Sequence, residues 1–132
     1  MTLPIITALA AAFLAIMQLI LMVTVGNRRR ASAISIGDGG DEDMLRLMRR
    51  HGNFIENAPM VLILLMLLEV LGIGQSIIIG IAVLFIVTRI SHAISMSSAN
   101  APVAFRVIGA LGTLLSLLGG AVMLARQATT LI

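Results

Sequence analysis

The sequence predicts an all-α integral membrane protein, a bundle of four helices that each cross a bilayer. Three observations carry this expectation. The 132 residues are 59% hydrophobic and only 11% charged, with a mean hydropathy of +1.09, whereas soluble domains run at about 45–50% apolar and about 25% charged. The apolar residues fall into four blocks, each close to the ~20 residues that cross hydrocarbon at ~1.5 Å per residue. The charged residues gather between these blocks, toward one side. Because the blocks consume most of residues 1–132, one bundle is expected, with no room for a separate soluble domain.

The first block is Pro4–Val25, about 33 Å as a helix, and it ends in Gly26-Asn27-Arg28-Arg29-Arg30. It has no basic residues ahead of it, and the arginine run lies after the apolar stretch as a stop signal would. It is therefore expected to be a retained span rather than a signal peptide. The segment Gly37-Asp38-Gly39-Gly40-Asp41-Glu42-Asp43 is a turn-rich acidic loop suited to capping the next helix.

The second helix is expected from Asp41 to about Leu71, ~45 Å long and so longer than the ~30 Å hydrocarbon layer. Its first half, Met44–Asn57, is polar and should protrude on the loop side; Ala58–Leu71 is almost wholly apolar. Pro59 removes one helical hydrogen bond and is expected to bend the helix near Ile55. After a short uncharged turn, a third helix runs from Ile77 to about Met96 and brings in Arg89 and His92 near its end. Ser97–Pro102 breaks the chain, and the fourth helix, Val103–Leu124, carries Arg106 in its first turns. Gly109, Gly112, Gly119 and Gly120 permit close helix contact there.

Charge placement sets an orientation. Arg28, Arg29, Arg30, Arg46, Arg49, Arg50, Arg89 and Arg106 belong to the side of the first and third connections, and only Arg126 lies on the other. Positive-inside then puts the arginine-rich side in the cytoplasm and both termini outside. The net charge of +3 and pI near 11.5 have no soluble basic domain to carry them. Anionic lipid headgroups or a small anion fit better than nucleic acid. Cysteine is absent, which excludes disulfides, protein thiol nucleophiles and thiolate metal sites; with two histidines, no metal site is expected.

The most informative spacing is Arg49-x-x-x-Asn53-x-x-Glu56. In a helix Asn53 lies about 40° to one side of Arg49 and Glu56 about 20° to the other, a single polar stripe where the second helix enters the membrane. Two readings stay open: Arg49 and Glu56 pair along the helix and cancel, or they present a cation, an amide and a carboxylate to one pocket. Arg89 and Arg106 favour the pocket. Each sits among apolar residues, where a charge costs roughly 2.5–3.5 kcal/mol, and such residues normally face a bundle interior or a wet cavity. His92 falls near Arg89 on a similar face. Glu69, about 140° round the helix from Glu56, is expected to be an interfacial carboxylate reaching water. Many cations and one placed carboxylate suit a small zwitterion carrying more negative than positive charge.

These residues resemble the MAPEG family, membrane-associated proteins in eicosanoid and glutathione metabolism, and its bacterial members most of all. The resemblance rests on Arg49-x-x-x-Asn53-x-x-Glu56 followed by Pro59, on the Gly37–Asp41 run leading into Arg50–Pro59, and on Leu67-Leu68-Glu69-Val70-Leu71-Gly72. It covers essentially the whole chain. It implies a homotrimer of four-helix subunits in a bacterial inner membrane, with glutathione bound between neighbouring subunits near the cytoplasmic face. It further implies a glutathione-dependent transferase or peroxidase acting on lipophilic electrophiles or hydroperoxides. Carried over, Arg28, Arg49, Asn53, Glu56, Arg89 and His92 contact the tripeptide, and Arg106 stabilises its thiolate. Many catalytic relatives carry a Tyr about two turns after the third-helix Arg; Met96 stands there, and the chain has no Tyr. A non-catalytic lipid-binding or lipid-presenting role is the alternative. A small multidrug transporter fits less well, because Glu56 is near the membrane edge and the only aromatics are four Phe.

Overall fold

The computed structural model describes residues 2–132. It holds four long helices, α1 (Ile5–Ser32), α2 (Glu42–Val70), α3 (Gln75–Ser95) and α4 (Val103–Thr129), each long and apolar enough to cross a membrane. Helices α2 and α3 form the middle of the bundle. Helix α3 packs most extensively on α4, and α1 on α2; among the described residues α1 and α4 do not touch.

The interior is built as lipid requires rather than as water requires. A core of Leu14, Leu21, Phe54, Val61, Leu65 and Phe85 joins α1, α2 and α3. On α4 the polarity is inverted: Gly109, Gly112, Thr113, Ser116 and Gly120 are buried, while Leu111, Leu114, Leu115, Leu118 and Val122 are exposed. Without a hydrophobic drive between helices in lipid, small residues allow close contact, and buried hydroxyls bond back to the backbone. Thr113 Oγ1 donates to Gly109 O and Ser116 Oγ to Gly112 O, both at 2.7 Å.

Helix α1 continues through Arg28–Arg30, beyond the apolar block, to a left-handed cap at Ala33 (φ 54°). Arginine is a good helix former, and cations in a last turn favour the helix dipole. Asp41 then caps α2, accepting from the amides of Asp43 at 3.0 Å and Met44 at 3.1 Å. The same carboxylate takes a fork from Arg28, Nε and Nη2 both at 3.0 Å, and the Ser32 hydroxyl at 3.1 Å. One acidic residue thus ties the end of α1 to the start of α2. The Met44 amide, helped by Arg28 and Ser32, holds the Asp41 carboxyl below its ordinary value. A lowered carboxylate stabilises the fold above the ordinary value, and the contribution is lost as pH falls through the lowered one. Acidification is therefore expected to loosen this junction, seen as faster proteolysis in the 33–41 loop below about pH 4 and not at neutrality.

Glu69 corrects the expectation from sequence. It is only 5% exposed, and instead of reaching water its carboxylate caps α1, accepting from the amides of Ile6 (2.9 Å) and Thr7 (2.8 Å) and from the Thr7 hydroxyl (2.7 Å). Pro4 offers α1 no side-chain cap, and no acidic residue lies in the first turn, so the free amides and the positive end of the dipole are met from α2. Charge-assisted bonds of this kind contribute about 1.5–3 kcal/mol. Glu69→Gln is expected to destabilise the bundle by about 2 kcal/mol, read as a lower midpoint of thermal unfolding in detergent; an unchanged midpoint would remove the cap from the account.

Candidate functional site

The packing of α2, α3 and α4 leaves a cleft of about 600 Å³, with Asn53, Asn57, Arg89, His92, Arg106 and Thr113 toward the loop side and Leu114, Leu117 and Leu118 farther along α4. A volume in the range of about 300–1,000 Å³ with a few convergent polar groups over apolar walls is what small-molecule sites show. Polar and lipophilic ends share one space.

Arg89 organises it. The residue is 2% exposed, and its guanidinium ties three helices together. Nη1 donates to Asn53 Oδ1 on α2 at 2.6 Å, and Nη2 donates to Gly109 O on α4 at 2.8 Å and to the Thr113 hydroxyl. The guanidinium also lies 5.4 Å from the centre of the Phe85 ring, within cation–π range. Its Nε is buried with no partner. A planar fork that stays charged when buried is the side chain suited to such a junction. His92 is half-buried beside it, and Arg106 is exposed at the edge of the cleft.

The depth of this arrangement depends on close approach of α3 and α4. A Cβ on Gly109 would stand 2.7 Å from His92 Cβ, 3.0 Å from its Cα and 3.1 Å from its N, and one on Gly112 would overlap the Thr88 methyl. Backbone atoms cannot swing aside, so the helices must part. Gly109→Ala is expected to cost about 1–3 kcal/mol and to widen the His92 side of the cleft. Gly119→Ala, with nothing within 4 Å of the added carbon, is the matched control; equal thermal midpoints for the two variants would contradict the packing argument.

Of the residues singled out from sequence, Asn53, Arg89, His92 and Arg106 come together around this cleft, while Arg28, Arg49 and Glu56 do not line it. Arg28 is engaged with Asp41, and also lies 3.5 Å from Asp43. Arg49 and Glu56 are both exposed and make no ion pair with each other. Two polar cleft residues were missed. Asn57 is one turn after Asn53 and donates to its carbonyl at 2.8 Å; Thr113 is two turns after Arg106 on the same face. Both were findable from helical spacing. Among the described residues, no group of His, Asp and Glu is gathered to hold a metal ion.

Four apolar spans, with a cleft that is polar at one end and leucine-lined at the other, define a multi-pass membrane protein. The sequence model of the MAPEG family matches residues 7–126. The chain belongs to the MAPEG family, and so to a family of membrane proteins associated with glutathione and lipophilic substrates. No curated protein and no solved structure matches the chain at a significant level.

Proposed function

We propose that the protein is a membrane-bound glutathione-dependent transferase or peroxidase acting on lipophilic electrophiles or hydroperoxides. The observation that supports this best is the convergence of Asn53, Arg89, His92 and Arg106 on one cleft whose other end is leucine-lined. The polar end suits a tripeptide with two carboxylates, and the leucine end suits a substrate entering from the bilayer.

Arg106 is the catalytic residue in this reading. A free thiol of pKa near ~8.5 is mostly protonated at neutral pH, and the thiolate is the nucleophile. A guanidinium within ~4–6 Å favours the anion. Arg106 is exposed and has no ion-pair partner among the described residues, so its charge is free for this task. The thiolate sulfur then bonds to the electrophilic carbon and the leaving group departs with its electron pair. With a hydroperoxide, sulfur attacks the terminal oxygen and the alcohol leaves, and a second glutathione completes the disulfide with loss of water. Asn53 and His92 orient the tripeptide. Arg89, whose terminal nitrogens are engaged with Asn53, Gly109 and Thr113, holds the wall they present.

The cleft of one subunit has no carboxylate for the glutathione ammonium. Arg28, Arg49 and Glu56 do not line it, and a homotrimer in which a neighbour supplies them would complete the contacts. In the proposed setting, a bacterial inner membrane, the arginine-rich side faces the cytoplasm and both termini lie outside. A second reading, lipid binding without turnover, is favoured by Met96 standing where catalytic relatives carry Tyr. Glutathione turnover by the purified chain in detergent, with a broad aryl electrophile and with a lipid hydroperoxide, tests the proposal. Turnover of either supports it, and thermal stabilisation by glutathione without any turnover favours the second reading.

A further inference from the structure

A second concavity, sharing no residue with the cleft, runs between α1 and α3. It holds about 430 Å³ and is walled by apolar side chains, among them Phe13, Ile16 and Ile20 of α1 and Ile90 and Ile94 of α3, all exposed along its rim. At one end stand Arg50 and Thr24. Arg50 Nη2 donates to Thr24 Oγ1 at 2.8 Å. Its Nε is buried with no partner, and no carboxylate among the described residues pairs with it. An arginine kept in a membrane protein without a counter-ion, at the end of an apolar trough, lacks only an anion.

Length and level identify the occupant. From Phe13 to Thr24 the trough follows α1 for ~16 Å, which is about the hydrocarbon of one leaflet, half of a ~30 Å core. Thr24 lies one turn before Arg28, where the sequence passes from apolar to charged. Arg50 therefore sits at headgroup depth, with the trough leading inward from it. We propose that this trough is a binding site for one anionic phospholipid of the arginine-rich leaflet, its phosphate gripped by Arg50 and one acyl chain lying against Ile20, Ile16 and Phe13. Arginine matches phosphate oxygens in a fork and is a weakly hydrated cation, so it gives up water for phosphate readily. The surrounding arginines raise the local concentration of anionic lipid, but only Arg50 adjoins the chain groove.

The test is lipid retention by the delipidated full chain in detergent, measured by native mass spectrometry with phosphatidylglycerol and phosphatidylcholine of identical acyl chains. Wild type is expected to retain phosphatidylglycerol about tenfold more strongly, the loss expected of one charge-assisted contact. Arg50→Gln should erase that preference, while Arg30→Gln, an exposed arginine away from the trough, should keep it. Ala93→Phe, which fills the trough without touching Arg50's charge, should reduce retention of both lipids. Equal retention of the two lipids by wild type, or a preference that survives Arg50→Gln, overturns the proposal. So does a cross-link between copies formed through Ile20→Cys that excludes lipid, since the trough would then be covered by a second chain. Glutathione binding shares no residue with this site, so its presence or absence is read separately.

Discussion

Replacing Arg106 with alanine is expected to lower glutathione turnover roughly 10- to 30-fold at pH 7, while glutathione affinity changes only a few-fold. The magnitude follows from ionisation. An adjacent cation lowers an acid's pKa by about 1–3 units, so removing it returns a thiol to near ~8.5, where only a few per cent is thiolate at neutrality. The lost rate should recover as pH is raised toward ~8.5, because the pH then supplies the anion that the guanidinium had favoured. That recovery separates a thiolate role from a structural one. Arg106 is exposed and its side chain enters no internal hydrogen bond among the described residues, so the variant should unfold at the wild-type temperature. Equal activity in the variant would remove Arg106 from the mechanism.

Arg89→Ala should act in the opposite way, on the fold as well as on the site. The guanidinium joins Asn53, Gly109 O and Thr113; truncating it leaves Asn53 Oδ1 without that donor, while Gly109 O and Thr113 keep the bond between them. The three lost charge-assisted bonds contribute about 1.5–3 kcal/mol each, and removing a charge from the membrane returns roughly 2.5–3.5 kcal/mol. The net expectation is a loss of about 2 kcal/mol, with the void left beside Phe85 adding to it. Glutathione binding should fall together with thermal stability. Arg89→Lys keeps the charge but has no planar fork to reach two helices at once, and should recover little of either. A variant that bound glutathione normally and melted normally would show that α2 and α4 do not need this bridge.

Much of the fold was legible because lipid imposes simple rules. Four apolar blocks gave four spans, and Asp41, placed by its acidic loop, caps α2 as its residue type suggested. What sequence could not show was which groups meet across the bundle. Glu69 was read as an interfacial carboxylate because helical angles locate a residue on its own helix and say nothing of a partner more than sixty residues away. The clue was on α1, which starts at Pro4 with neither cap nor acidic residue. The end of α1 was missed by about two turns because hydropathy stops at Gly26, whereas arginine continues a helix readily.

The site was legible in part for the same reason. On α2 the angles placed Arg49, Asn53 and Glu56 in one stripe. Asn57, about 80° from Arg49 on the Asn53 side, shows that α3 and α4 close over one flank of that stripe only. Glu56, on the other flank, is left exposed. The third and fourth helices were read better, since Arg89, His92 and Arg106 are the ionisable groups in the loop-side halves of otherwise largely apolar helices, and all three line the cleft.

Glutathione is expected at the polar end of the α2–α3–α4 cleft. Isothermal titration of glutathione into the purified full chain, alongside Asn53→Ala, His92→Ala and the exposed control Arg126→Ala, tests it most directly. Saturable binding is expected that weakens about tenfold or more in the two cleft variants, the size of one lost hydrogen bond to a charged ligand, and stays unchanged in the control. Saturable binding with the same affinity in all four proteins would contradict it, as would no binding to the wild type.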